Sequence, residues 1–397
     1  MKLADRTKNL QASATLAMTA RAQSLRASGV DVLTLSAGEP DFDTPDNIKA
    51  AASNAIAKGL TKYTPVAGTQ ALRQAIVQMA AQLYGRKVEV AQTTVGAGGK
   101  QVIFNALACL LNPGDEALFA APYWVSYPDM VRFTGATPVT VQVDEGQGFL
   151  PRAEDFAKHI TARTRVLILN SPSNPTGATY TAEELRSLAA MLEQHPQVFI
   201  ITDDIYSGLV YDAPFVSLAQ VAPQLAERTL IATGVSKTYA MTGWRIGFGI
   251  GPAKLIAAMN TLQGASTSGA CSIAQAAATE ALVGPQEAVQ KMRATFAARR
   301  DRVVAGLKTI EGLTLYAPRG AFYVFPNATA FYTGSIKNSG DLCEHLLTTV
   351  HLALVPGEAF GSDAHIRMSF ACSEAHIDEG VRRLAAGLKS LRPSLKR

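Results

Sequence analysis

The sequence predicts an α/β fold in which a mainly parallel sheet is flanked by helices and joined to a smaller α+β unit. Three observations lead there. Between residues 91 and 259, short apolar runs alternate with stretches of helical length, the order expected when helices cover both faces of a parallel sheet. Two of these runs, RVLILN at 165–170 and QVFIIT at 197–202, are apolar along most of their length, as strands buried on both faces are, and each leads into a polar turn. Beyond residue 285 a long helical stretch gives way to short strand patterns, YAPRGAFYVFP and HLALVPGEAFG, which read as a second unit. A chain of 397 residues with 48% hydrophobic content has enough apolar surface for both.

Taken in order, residues 10–28 carry apolar residues at helical intervals. DVLTLSAGEPDFDTP then turns from a strand into a loop stiffened by Pro40 and Pro45. Gly38 in that loop is either a plain turn glycine or a place where backbone approaches a ligand closely. Lys62, Tyr63, Thr64 and Pro65 precede a helix that begins near Gly68. After Thr93, TVGAGGKQVIFNALACLL reads as a short strand, a turn at Gly96, Gly98 and Gly99, and a helix. Such a turn cradles phosphate, because glycines admit the anion and the first helical N–H groups have no partner within the helix. A dinucleotide fingerprint would need glycine at Gln101, and a nucleoside triphosphate loop would need glycine at Thr94 and Ser or Thr at Gln101, so both are disfavoured.

LNPGDEALFAAPYWVSYPDM supplies a turn, a strand and the aromatic cluster Tyr123, Trp124 and Tyr127. RVLILN runs into SPSNPTG, where Asn174 is at least a turn residue. QVFIIT is followed by Asp203, Asp204, Ile205 and Tyr206; strand alternation puts the two aspartates on opposite faces, and ligands of open α/β sheets bind where such strands end. TGVSKTYAMTGWRIG at 233–247 places Lys237 among glycines, small hydroxyls and bulky apolar residues. An amine so placed loses hydration of its charged form, which lowers its pKa and frees it as a nucleophile; the guanidinium fork of Arg245 suits a phosphate. Taken singly, either is as readily a solvated loop residue. In HIRMSFA, Ile366, Met368 and Phe370 share one strand face while Arg367 and Ser369 share the other.

Other chemistries lack parts. The net charge of +5 is small, and beyond Arg299, Arg300, Arg302 and the final LRPSLKR the basic residues are scattered, so nucleic acid is not implied. The four cysteines, Cys109, Cys271, Cys343 and Cys372, are far apart, which predicts reduced thiols rather than zinc or a disulfide framework. The six histidines form no HExxH spacing, and GVSKT fails the nucleophile-elbow pattern at its last position. No apolar run approaches the roughly 18 residues that span a bilayer, and MKLADRTKNLQASATLA lacks a secretory core, so a cytoplasmic location is expected.

SKTYAMTGWRIG resembles the cofactor-lysine segment of the class I aminotransferases, pyridoxal-phosphate enzymes of fold type I, and is most similar to the bacterial aspartate aminotransferase subgroup. SAGEPDFDTP, PYWVSYP, NPTG and DDIY match the same family, so the resemblance spans nearly the whole chain. It implies pyridoxal 5′-phosphate attached to Lys237, with its phosphate held by Arg245 and the Gly98–Gly99 turn. Trp124 stacks on the pyridine ring, Asp203 faces the ring nitrogen and keeps it protonated, and Asn174 and Tyr206 donate to the phenolic oxygen. Arg367 and Gly38 take the substrate α-carboxylate, and Lys100 with Thr15 takes a distal one. The family's counterpart of Tyr63 reaches across a homodimer interface to the partner's cofactor phosphate.

The resemblance further implies a large cofactor-binding α/β domain at 45–290 and a small domain made of 1–44 plus 291–397. The expected reaction is L-aspartate with 2-oxoglutarate giving oxaloacetate and L-glutamate; aromatic amino acids, prephenate or another donor remain open alternatives. A lyase on the same fold would release ammonia or an elimination product. A cofactor-sensing regulator would need a DNA-binding domain upstream, for which this chain has no evident room. Gly269 and Ala270 stand where related enzymes usually carry Asn-Pro, in a loop expected near the substrate, so side-chain specificity is open there.

Overall fold

The apolar runs form the strands of one seven-stranded sheet. In the computed structural model, which describes residues 1–8, 10 and 14–391 without the side chains of 5, 14–16 and 19, these are β1 (Thr93–Gly96), β2 (Glu116–Ala121), β3 (Thr137–Gln142), β4 (Thr164–Asn170), β5 (Phe199–Asp203), β6 (Thr229–Gly234) and β7 (Gly247–Ile250). Their order across the sheet is β1-β7-β6-β5-β4-β2-β3. Only β7 runs against its neighbours; the remaining pairs are parallel.

Strand alternation sorts the core. Val166 and Ile168 of β4 pack with Val102, Ile103, Ala106 and Leu107 of α1 (Gly99–Leu110). Leu167 and Leu169 point the other way, onto Leu185, Leu188 and Leu192 of α2 (Ala182–Glu193). Both faces are therefore dry, and each such side chain contributes about 1.5–3 kcal/mol through burial. Thr181 and Glu184 start α2 with reciprocal side-chain-to-backbone bonds that satisfy two otherwise unpaired donors.

The C-terminal part packs around a further cluster, which Tyr206 and Leu209 also enter. Phe296 and Val303 of α3 (Glu287–Lys308), Phe322, Leu342, Leu346, Phe370, and Ile377 and Leu384 of α4 (Glu374–Leu391) are buried together, and Leu33 and Leu35 from the N-terminal side join them. A three-stranded antiparallel sheet of β8 (Tyr323–Val324), β9 (Val355–Pro356) and β10 (Ile366–Ser369), ordered β9-β10-β8, lies in this region. Leu33–Thr34 pairs in parallel with Leu352–Ala353. Among the described residues no helix is long and apolar enough to cross a membrane.

The parallel register is what positions a site. Asn170 at the end of β4 pairs with Asp203 at the end of β5, and Asp203 pairs with Ala232 near the end of β6. Gly99, Trp124, Asn174, Tyr206 and Lys237 each fall within four residues of the end of a strand, so five chain segments converge at one edge. Close approach there demands glycine. Gly247 pairs with both Gly96 and Gly234, and a Cβ on it would stand 2.1 Å from the Gly99 nitrogen and 2.3 Å from the Gly98 carbonyl carbon. Gly247→Ala therefore forces β7 and the start of α1 apart, and a loss of about 1–3 kcal/mol is expected in denaturant unfolding; unchanged stability would show that the two backbones are not in contact.

Candidate active site

At that edge lies a cavity of about 360 Å³. Ten of the residues singled out from the sequence line it: Gly38, Gly99, Lys100, Trp124, Asn174, Asp203, Tyr206, Lys237, Arg245 and Arg367. Gly98 sits directly behind, at φ +90°, and a Cβ there would be 2.5 Å from the Arg245 guanidinium. Tyr63 is elsewhere, 98% exposed. Thr15 falls within a helix, but its side chain lies outside the described residues. Gly269 and Ala270 do not line this cavity; they border another that shares Arg245 with it and is also lined by Trp244 and Ala97.

Lys237 is half-buried, and its Nζ donates to the Gly38 carbonyl. Burial pushes the amine down to about 8; Arg367 and Arg245 push the same way, and Glu39 opposes them. Asp203 is buried, with Oδ2 accepting from the Tyr127 hydroxyl at 2.6 Å and Oδ1 from the Ile205 N–H at 3.4 Å. Burial raises its carboxyl to about 6 against the pull of those donors. Asp204 faces away, accepting from Ser217 Oγ at 2.9 Å, as alternation requires, and burial raises it to about 7.

Arg367 is 3% exposed, far from the usual surface arginine. Its two amino groups donate to neutral oxygens, Asn174 Oδ1 at 2.9 Å and the Ser36 carbonyl at 2.8 Å, and its Nε has no partner among the described residues. The guanidinium lies 4.5 Å from the Tyr323 ring and 4.9 Å from the Phe360 ring. A buried cation served by neutral groups alone is suited to an anionic ligand. Its neighbour Tyr206 shares a hydroxyl–hydroxyl bond of 2.9 Å with Tyr323.

The opposite wall is an anion cradle. Gly98 precedes α1 as its cap, and the Gly99 and Lys100 N–H groups have no acceptor among the described residues. Arg245 adopts a left-handed backbone, φ 56°, and its guanidinium bonds the Thr242 carbonyl at 2.9 Å and the Ala97 carbonyl at 3.3 Å, which holds it over the turn. The Lys100 ammonium lies 5.0 Å from the Trp124 ring, and Trp124 meets Tyr127 edge to face. Burial, then Arg245, lowers the Lys100 pKa.

Four contributors escaped the sequence reading: Asn170, Ser236 and Tyr323 in the lining, and Tyr127 on Asp203. Asn170 was visible as the polar end of an apolar run and Tyr127 as part of PYWVSYP; nothing local marks Ser236 or Tyr323. The four cysteines are unpaired, and among the described residues no group of His, Cys, Asp and Glu is placed to hold a metal.

A nucleophilic amine, a carboxylate and an anion cradle around one cavity are suited to moving amino groups. The chain belongs to the aminotransferase class I and II family, whose model matches residues 30–384, and it is a transaminase with the fold type I architecture. It is 49% identical over 391 residues to the aspartate/prephenate aminotransferase of Cereibacter sphaeroides, covering 97% of this chain and 98% of that one. The crystal structure of the aspartate aminotransferase from Rhizobium meliloti superposes with a TM-score of 0.95 at 44% identity, covering 98% of this chain and 99% of that one. That of the Thermus thermophilus aspartate aminotransferase with maleate gives 0.92 at 41%, covering 98% and 100%.

The depressed amine is directly testable. Acylation of Lys237 by an amine reagent, followed by peptide mapping across pH in protein freed of bound aldehydes, is expected to rise with a midpoint at about 8. A midpoint near that of an ordinary lysine, about 10.4, would contradict the burial argument.

Proposed function

We propose that this transaminase uses pyridoxal 5′-phosphate and exchanges the amino group between L-aspartate and 2-oxoglutarate, giving oxaloacetate and L-glutamate. The observation that carries the reading is the Lys237 amine, near 8, sharing one cavity with the Asp203 carboxylate and the neutrally paired Arg367 guanidinium. The residues fit the cofactor: unpaired N–H groups at Gly99 and Lys100, Arg245 over a turn that a Cβ at Gly98 would crowd, and a buried carboxylate served only by neutral donors. When bound, the cofactor supplies an aldehyde for covalent attachment and a ring that accepts the electrons left as the substrate α-proton departs.

Each residue then has a task. Lys237 would hold the cofactor through its aldehyde, and its Nζ, when free of that bond, would move the proton at the substrate α-carbon as general base and acid. Asp203 holds a proton on the ring nitrogen, and Tyr127 keeps that carboxylate oriented. Asn174 uses its Oδ1 on Arg367, which leaves its Nδ2 to donate, with Tyr206, to the phenolic oxygen. Trp124 would cover the cofactor ring, and Arg245 with the Gly98–Gly99 turn would hold its phosphate. Arg367 and Gly38 orient the α-carboxylate, and Lys100 with Thr15 selects a second one.

The same proposal includes a homodimer in which Tyr63, exposed in the single chain, serves the partner's phosphate site. It includes a division into 45–290 and 1–44 plus 291–397, supported by a hydrophobic cluster that gathers Leu33 and Leu35 with the C-terminal part and takes only Tyr206 and Leu209 of its buried members from 45–290. A cytoplasmic location is supported by the unpaired cysteines. A second reading, in which prephenate also enters the exchange, is favoured by relatives named aspartate/prephenate aminotransferase.

Borohydride reduction of cofactor-loaded protein and peptide mapping should label Lys237; label on any other lysine would overturn the assignment. A panel of amino donors compared by kcat/KM is expected to favour aspartate over neutral donors. Lys100→Ala is expected to cost aspartate about tenfold or more while sparing neutral donors, the scale of one charge-assisted hydrogen bond. Equal losses for acidic and neutral donors would sink the specificity argument.

A further inference from the structure

The arginine cluster at 299–302 is used unevenly. Arg300 pairs with Asp212, and Arg302 with Glu374 and Asp378, all three acids being exposed. Arg299 differs in its acid: Asp41, held through parallel bonds of 2.7 and 3.0 Å, is 30% exposed, against 51–55% for the other three. Its guanidinium lies 5.0 Å from the Phe42 ring and 5.6 Å from the Phe296 ring, which themselves meet edge to face at 5.3 Å. This is an ion pair in an aromatic box, directional and poorly screened.

Asp41 belongs to a strap, residues 35–44, that borders the cavity. Near its start the Leu35 carbonyl accepts from the Ser369 N–H at 2.7 Å, the Ser36 carbonyl holds Arg367, and the Gly38 carbonyl holds Lys237. Near its end Thr44 donates to the Ala240 carbonyl and accepts from the Trp244 indole. Asp41 and Phe42 tie the middle to α3. A second route leads inward from the same helix: Phe296 stacks on Phe322 at 5.5 Å, and Lys237 Nζ lies 5.9 Å from the Phe322 ring.

We propose that Arg299 is a positioning residue for substrate binding, acting through Asp41 to fix the strap whose Ser36 and Gly38 carbonyls set where the Arg367 guanidinium and the Lys237 amine stand. The inference rests on the aminotransferase reading. With the pair broken, the middle of the strap keeps the Phe42–Phe296 contact and the bond from Thr242 to Glu39 but loses its ion pair, and the incoming amino acid must order the loosened segment on binding, which weakens affinity. Once the substrate is seated, the same groups perform the chemistry, so turnover changes less.

The test uses the cofactor-loaded enzyme with Arg299→Lys, which keeps the charge but loses the fork, with Asp41→Asn, and with both together. For the best donor of the panel, KM is expected to rise about tenfold with kcat within about twofold, and the dissociation constant of the α-methyl analogue, which lacks the α-proton, should rise in parallel. The double variant is expected to be no worse than either single one, because both remove the same contact. Variants that melt earlier yet keep wild-type KM and analogue affinity would reduce Arg299 to a structural role, and additive losses would break the link to Asp41. Should the wild type turn over no amino acid at all, the aminotransferase reading itself fails, and this inference falls with it.

Discussion

The level ends of β4 and β5, beside β6, are the constraint on which the site depends. Parallel pairing puts Asn170 beside Asp203, and the Asn170 amide then reads both strands: its Nδ2 donates to the Asp203 carbonyl and its Oδ1 accepts from the Asn174 N–H. The turn that carries Asn174 is thus anchored to the strand that carries Asp203. A slip of one residue in β5 would exchange Asp203 for Asp204 and turn the wrong carboxylate toward the cavity.

Burial then works against three of the charges brought there. It lowers Lys237, raises Asp203 and lowers Arg367, and each receives neutral hydrogen bonds rather than a close opposite charge. Such an arrangement costs stability, because desolvation is only partly offset. For Asp203 the sign is clear: its carboxyl is raised from 3.8 to about 6, so its destabilising effect is absent below 3.8 and grows as pH rises toward 6. The lysine penalises the folded state below about 8 and is relieved as pH rises further toward 10.5. A ligand that brings the complementary charges recovers what the bare fold gives up.

Glycines and the 35–44 strap solve two opposite mechanical problems. At Gly247 the backbones meet so closely that a side chain would strike the Gly98–Gly99 backbone, and at Gly98, with φ +90°, it would crowd the Arg245 guanidinium. The strap instead crosses from one hydrophobic cluster to the other side of the cavity and needs side chains to hold it: Asp41 and Phe42 on α3, Thr44 on the Ala240–Trp244 turn.

Much of this was legible in the residues. The fold class followed from alternation of strand and helix patterns, the cradle from the glycine spacing, the opposite facing of Asp203 and Asp204 from a two-residue period, and the prominence of Lys237 from its apolar surroundings, all of them local properties that survive in a linear reading, while the choice of Asp203 came with the family resemblance. What only the tertiary structure decided are the contacts between distant segments. Tyr127 on Asp203, Tyr206 on Tyr323 and Arg299 on Asp41 join residues 76, 117 and 258 positions apart, and the burial of Arg367 depends on strands and loops from both ends of the chain. No period or spacing encodes such meetings, because they are set by how finished layers pack.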